Sequence, residues 1–325
     1  MLKHSGEIAA LFTAMFWTIT ALAFEAAGRK IGSLIVNLLR LLVGFFFLSL
    51  FTWIFRGYLL PVDASSRTWL ILILSGLVGF TFGDLCLFQS FVVVGARISM
   101  LLMALAPPMT AVISWIILGE KMTRLSILGM IVTITGIALV VLKREDTPRK
   151  PEGRRKFRFD YPFWGILLGL GGAFGQSLGL VLSKLGMREP VSAAAAGINH
   201  LAQNYNQIEQ SYNPFASAQI RVIAGIAGFV ILFTILRKWK PTFQAFSNHK
   251  AMWQLSLGGF FGPFLGVSFS LLAVQLTNTG IASTIMAMVP VIIIPPSIIL
   301  FKEKVTLKEI AGAILAVGGV ALFFL

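Results

Sequence analysis

Residues 106–142 read APPMTAVISWIILGEKMTRLSILGMIVTITGIALVVL, and the pattern returns without a gap at 289–325 as VPVIIIPPSIILFKEKVTLKEIAGAILAVGGVALFFL. About 13 of the 37 paired positions are identical, and such self-similarity is the mark of an internally repeated architecture. The matches include Pro107/Pro290, Glu120/Glu303, Lys121/Lys304, Thr123/Thr306, Gly129/Gly312 and Gly136/Gly319. Each copy reads as an apolar helix with an early proline, a short charged turn, and a second helix with spaced small residues.

Composition sets the environment of these helices. Hydrophobic residues make up 57% of the chain and charged residues 12%, about half the charge fraction of a soluble domain. Apolar runs of roughly 17–25 residues, the length that crosses a bilayer core, recur along the whole chain. The expected class is an all-α integral membrane protein. Its net charge of +14 sits in short loops, where it suits anionic lipid headgroups rather than nucleic acid. The single cysteine, Cys86, lies in an apolar run, so no intramolecular disulfide and no thiolate metal site is expected. Lys3, an apolar core and Ala21-Leu22-Ala23 mimic a signal peptide; cleavage is not expected, because the first helix has a counterpart in the second half.

Ten spans can be drawn, at 8–24, 34–55, 69–94, 98–118, 125–142, 161–182, 215–236, 252–276, 281–301 and 310–325. The repeat extends backwards from the opening stretch. Gly79 pairs with Gly262 and Gly83 with Gly266 at the same offset, Arg40 with Arg221 and Gly44 with Gly225 after a small gap, and Gly6/Gly165 and Ala14/Ala173 more weakly. Five spans per half is an odd number, so equivalent helices must run in opposite directions. The expectation is two five-helix inverted repeats, 7–142 and 163–325, an architecture that lets a central site open to either side. Between them, 143–162 is a basic, proline-containing hydrophilic linker. Residues 189–214 are an Asn/Gln-rich insertion, read as a surface loop or short helix with a functional lid as the alternative.

Asp84 is the carboxylate deepest in an apolar run, where a charge is expensive and faces the bundle interior or water. It is expected either to carry a proton or bind a substrate amine, or to form a structural ion pair with Arg40. Phe80 and Phe88 sit one turn to either side. Arg40 and Arg221 either snorkel to the interface or line a cavity and attract a carboxylate or phosphate. Phe16, Trp17, Thr18, Thr20, Gln89, Gln176, Ser177 and Gln275 are further cavity candidates; each alone also fits as glue between helices. Pro107 and Pro290 interrupt equivalent helices and are hinge candidates. Glu120 and Glu303 are either helix-capping anchors or a gate.

The chain carries no HExxH, GxSxG or GxxxxGK[ST] pattern, so no enzyme activity, metal or cofactor is expected. The stretches VGARISMLLMALAPPMTAVISWIILGEKMT (94–123) and TNTGIASTIMAMVPVIIIPPSIILFKEKVT (277–306) resemble the drug/metabolite transporter superfamily, specifically its ten-helix members with two EamA domains. The second copy departs from the common LGE turn, reading Phe301-Lys302-Glu303. The resemblance implies a carrier of small metabolites with its site between the halves. The expected function is therefore a secondary transporter of an amino acid or similar solute, working by alternating access with proton or ion coupling. An uncoupled facilitator or exchanger, a membrane scaffold and a lipid scramblase are the alternatives. Partners are then a small-molecule substrate, a coupling ion and lipid, with the protein a monomer or homodimer in a bacterial inner membrane. Loop charges favour termini outside the cell, whereas the resemblance implies cytoplasmic termini.

Overall fold

A computed structural model describes residues 4–141, 162–188, 211–296 and 307–325. The basic linker up to residue 161, most of the insertion, and the turn holding Glu303 lie outside the described residues. The first half contains α1 (Ser5–Ile31), α2 (Ser33–Arg56), α3 (Ser66–Gly76), a π-helical stretch π1 (Leu77–Gly83), α4 (Asp84–Met103), α5 (Ala106–Leu118) and α6 (Arg124–Val141). The second contains α7 (Phe163–Met187), α8 (Pro214–Ile235), a short α9 (Trp239–Ala245), α10 (His249–Gly259), π2 (Phe260–Gly266), α11 (Val267–Leu276), α12 (Thr279–Met286), α13 (Val289–Ile292) and α14 (Leu307–Ala321). Among the described residues, non-helical pairing is confined to one bridge, Arg188 with Ser211, which brings the two ends of the insertion together.

Side-chain caps and glycines set several boundaries. Ser65 Oγ accepts from Thr68 N–H at 3.2 Å and opens α3. Asn213 Oδ1 accepts from Phe215 and Ala216 N–H at 2.9 and 3.1 Å and opens α8. Such caps satisfy donors that the first turn leaves unpaired. Gly57 and Gly119, at φ 76° and 69°, end α2 and α5 in the left-handed conformation that glycine adopts without strain.

Eight helices among the described residues are long and apolar enough to cross a membrane, and Ala106–Leu118 and Arg124–Val140 are shorter apolar helices. One expected boundary moves. Spans three and four were to part between residues 94 and 98, but α4 runs unbroken from Asp84 to Met103. Gly95-Ala96-Arg97 contains no proline and no capping side chain to stop a helix. In the second half Asn278 does stop it: its Oδ1 accepts from Gly280 N–H at 3.0 Å and starts α12. Both halves break instead at the same repeat position, after Met103 and after Met286, just ahead of Pro107 and Pro290.

The π stretches also fall at one repeat offset, so that Leu77 matches Phe260 and Gly83 matches Gly266. Packing follows the same exchange of halves. α7 lies along α3, π1 and α4, while α1 lies along α10, π2 and α11. α2 packs on α8, and α6 on α14. Glycine makes these contacts close. A Cβ on Gly136 would sit 2.6 Å from the Gly312 carbonyl oxygen, and one on Gly129 2.9 Å from that of Gly319. Rising numbers on α6 thus meet falling numbers on α14, so these repeat-equivalent helices cross antiparallel. Backbones this close gain dispersion contacts that larger side chains would forbid.

Apolar side chains cover the outside. Phe55, Ile116 and Trp253 are each more than 70% exposed, as a lipid-facing surface requires. Polar groups turn inward: buried Gln219 of α8 donates to Ser49 Oγ at 2.9 Å and to the Leu59 carbonyl at 2.7 Å, tying α8 to α2.

Gly136→Ala places its Cβ 2.4 Å from the Ala316 backbone nitrogen, where nothing flexible can yield, and should cost about 1–3 kcal/mol. Gly318→Ala, on the exposed face of α14, meets nothing within 4 Å and should be neutral. Thermal unfolding of both variants in detergent checks the pair.

Candidate functional site

The two halves enclose a cavity of about 330 Å³. α1 contributes Trp17 and Thr20, α2 Arg40, π1 Phe80, and α4 Asp84, Leu87 and Met103. The second half contributes Gln176 and Ser177 of α7, Arg221 of α8, Pro263 of π2, Ser270 of α11 and Met286 of α12. The helix breaks deliver Pro107 and Pro290 to the same wall. Because the repeat pairs Ala14 with Ala173, it also pairs Trp17 with Gln176. The Trp17 indole packs on Gly266 and the Gln176 backbone on Gly83, so equivalent residue pairs meet once in each half. Phe80 and Pro263 are likewise repeat-equivalent, each within its π stretch. A π turn re-aims side chains locally and is common at functional sites.

Asp84 is buried at 5% exposure. Its Oδ2 forms an ion pair with Arg40 Nη2, and its Oδ1 accepts from Gln176 Nε2 at 2.8 Å. The carboxylate is thus held between α2 of one half and α7 of the other. Arg40 also stands 5.7 Å from the centre of the Phe24 ring. Arg221, 4% exposed, stacks 4.9 Å over Phe80. It does not snorkel to an interface, and no ion pair joins it to a carboxylate among the described residues. Its Nε has no hydrogen-bond partner there either.

The other candidates scatter. Ser177 lines the cavity and donates to the Ala173 carbonyl at 2.7 Å, with the Ala106 carbonyl at 2.9 Å. Thr18 turns away, donating to the Ala14 carbonyl at 2.9 Å. Phe16 belongs to an aromatic cluster with Phe12, Phe261 and Phe269. Gln89 is exposed. Phe88 and Gln275 are half-buried and lie off the cavity wall. Leu87, three residues beyond Asp84, takes the place expected of Phe88. Thr20 lines the wall as well, and Pro263 and Met286 line it without having been singled out. Pro263 alone carried a readable signal, a proline inside an apolar run.

Glu120 ties the halves together away from the cavity. Its Oε1 accepts from Lys184 Nζ at 2.6 Å, with Arg188 Nη2 at 3.7 Å. Its Oε2 accepts the Thr279 N–H at 2.8 Å. Lys184 also donates to the Thr277 carbonyl at 2.6 Å, and Thr277 Oγ1 donates to Glu7 Oε1 at 2.7 Å. This latch joins the end of α5, the end of α7, the start of α12 and the start of α1. It lies about 12 Å along α7 from Gln176, eight residues on. Beyond it Tyr212, in the segment leading into α8, donates to Asp63 Oδ1 at 3.0 Å and accepts from Arg56 at 3.3 Å. Burial is the main cause that pushes the Tyr212 phenol up to about 12.

Asp84→Ala strands the buried Arg40 guanidinium and should cost about 3–5 kcal/mol, the penalty of an uncompensated buried charge. The double variant Asp84→Leu/Arg40→Met should recover most of that loss. Chemical unfolding of the three proteins gives the comparison.

The model of the EamA-like transporter family matches residues 4–142 and 191–325. An uncharacterized membrane protein of Saccharomyces cerevisiae, YMR253C, is 29% identical over 119 residues. That match takes in 36% of this chain and 28% of the yeast protein. A crystal structure superposes with a TM-score of 0.68 at 15% identity, covering 98% of this chain and 96% of that one; at this identity the likeness is one of fold.

Proposed function

We propose that this chain, which belongs to the EamA-like transporter family, is a secondary transporter that moves a small metabolite or drug-like solute by alternating access. Amino acids and similar solutes are the proposed range, and a proton or other ion is the proposed driving partner. The observation that carries this reading is the buried Asp84–Arg40 pair on the wall of a cavity that both halves line. A carboxylate is kept in such a place only where protein groups compensate its charge. Protonating it removes its hold on Arg40, which couples a proton to the shape of the cavity. That is the bistable element a coupled carrier needs.

The proposed architecture is ten transmembrane helices in two inverted five-helix repeats, with α5 and α6 among the ten. The antiparallel crossing of α6 and α14 supports it, as does the exchange of halves in the packing of α1 and α7. Rocking of one half on the other would slide the glycine seams and carry Pro107 and Pro290 past the cavity. The Glu120 latch joins elements of both halves at one end. In the proposed cycle it holds that end shut and releases when the opposite end closes. Glu303 is the proposed counterpart in the second half.

In proteoliposomes under a pH gradient, the protein should accumulate its substrate and lose accumulation when the gradient is collapsed. Asp84→Asn should lower uphill accumulation about tenfold or more, some 1.4 kcal/mol of coupling, while exchange at equal pH continues. Uphill transport unchanged in Asp84→Asn would remove Asp84 from coupling. Equal rates with and without the gradient would make the protein a facilitator. Glu120→Gln should weaken the Lys184 tie and raise labelling of a cysteine placed at Thr279, read with a membrane-impermeant thiol reagent.

A further inference from the structure

We infer that the solute bound in this cavity is a monoanionic carboxylate with an apolar body, its carboxylate held by Arg221. The inference rests on the transport reading of the cavity and narrows its proposed range, from amino acids and similar solutes to carboxylates that carry no ammonium. The ionisable side chains on the wall are Arg40, Arg221 and Asp84, two positive charges against one negative. Asp84 is spoken for, with Oδ2 on Arg40 and Oδ1 on Gln176. Asp84 pairs directly with Arg40 and attracts Arg221 only at longer range, so its single charge is shared and one positive charge on the wall is left in excess. Burying a charge without a partner at membrane depth is expensive. Arg221 Nε is buried and without a hydrogen-bond partner there. The fold nevertheless makes room for the group. A Cβ on Gly76 would sit 2.4 Å from the Arg221 carbonyl oxygen, and one on Gly79 3.1 Å from its Nη2. Phe80 then supports the guanidinium from one face at 4.9 Å.

The class follows from charge and shape. A guanidinium presents a planar fork that a carboxylate meets with two parallel hydrogen bonds. A phosphate monoester brings close to two negative charges to one uncompensated cation, and leaves an anion buried. A zwitterionic amino acid brings an ammonium that needs an acid, and both oxygens of Asp84 are already engaged. The remaining wall is apolar, with Trp17, Leu87, Met103 and Met286 facing the same space. A volume of about 330 Å³ lies at the small end of ligand sites.

Titration calorimetry on the purified protein in detergent, with 3-phenylpropionate as the probe, tests the assignment. The comparison ligands are 3-phenylpropanamide, phenylalanine and phenyl phosphate. The acid should bind, and each comparison ligand should bind roughly 10- to 100-fold more weakly, the effect of losing or mismatching a charge-assisted pair. Arg221→Gln should lose the same factor for the acid and nothing for the amide, with Arg221→Lys between the two. Should Arg221→Gln fail to fold, Gly79→Ala sets a Cβ 3.1 Å from Nη2 and 3.8 Å or more from the backbone of α7, and should weaken the acid selectively. Amide binding within about twofold of the acid, tighter binding of phenylalanine or phenyl phosphate, or no binding of the acid would each overturn the assignment. The transport reading is scored separately by flux. Selective binding of the acid with no flux in liposomes would sink transport and leave the carboxylate site standing. Saturable flux of a neutral or cationic solute with no binding of the acid would do the reverse.

Discussion

Close approach of helix backbones at glycine is the constraint on which the rest of this structure depends. Inside a bilayer no hydrophobic force draws two apolar helices together, because lipid serves either of them as well. What remains is dispersion and hydrogen bonding, and both fall away within fractions of an ångström. Gly175 and Gly179 of α7 meet Gly83 and Gly79 of π1 almost backbone to backbone. Gly262 and Gly266 of π2 instead receive the side chains of Thr20 and Trp17 of α1. Each half thereby docks its first helix into the other half. Neither half completes its packing alone, so the cavity between them is a consequence of the fold rather than a later carving.

That cavity gathers charges which the surrounding lipid cannot solvate. Asp84 and Arg40 stabilise one another only as long as both stay charged and aligned, and Gln176 from the opposite half fixes the carboxylate further. The pair is therefore sensitive to protons and to the relative position of the halves. Arg221 lies beyond that pair, stacked on an aromatic ring. Aromatic stacking relieves part of the cost of its burial, and an anionic occupant would relieve the rest.

Polar ties away from the cavity gather where α7 ends. Glu120, Lys184, Thr277 and Glu7 form one chain of contacts, and the Arg56–Asp63–Tyr212 cluster adds another. Both join parts of the chain far apart in sequence. The Glu120 and Lys184 side chains are only about a tenth exposed, so removing either partner would strand a buried charge.

Much of the fold could be read from the sequence. Apolar run lengths fixed helices as the only spanning structure, since lipid leaves every backbone group to be satisfied internally. The returning stretch at 289–325 exposed the repeat, and its spaced glycines marked the seams. Asp84 stood out because acids are rare in such runs. Other features depended on three-dimensional placement. Leu87 and Phe88 stand three and four residues after Asp84 on the regular helix α4, and which of them reaches the cavity depended on how that helix is turned against its neighbours. Met286 reaches the wall through packing between halves, a relation no local pattern encodes. Whether Arg221 snorkels or faces inward depended on the glycines of another helix that admit it. The sequence by itself determined an all-helical, internally repeated membrane protein, because hydrophobic length and periodicity are local properties. Only the tertiary structure decided which few polar groups share one cavity, because that depends on how the two halves interlock.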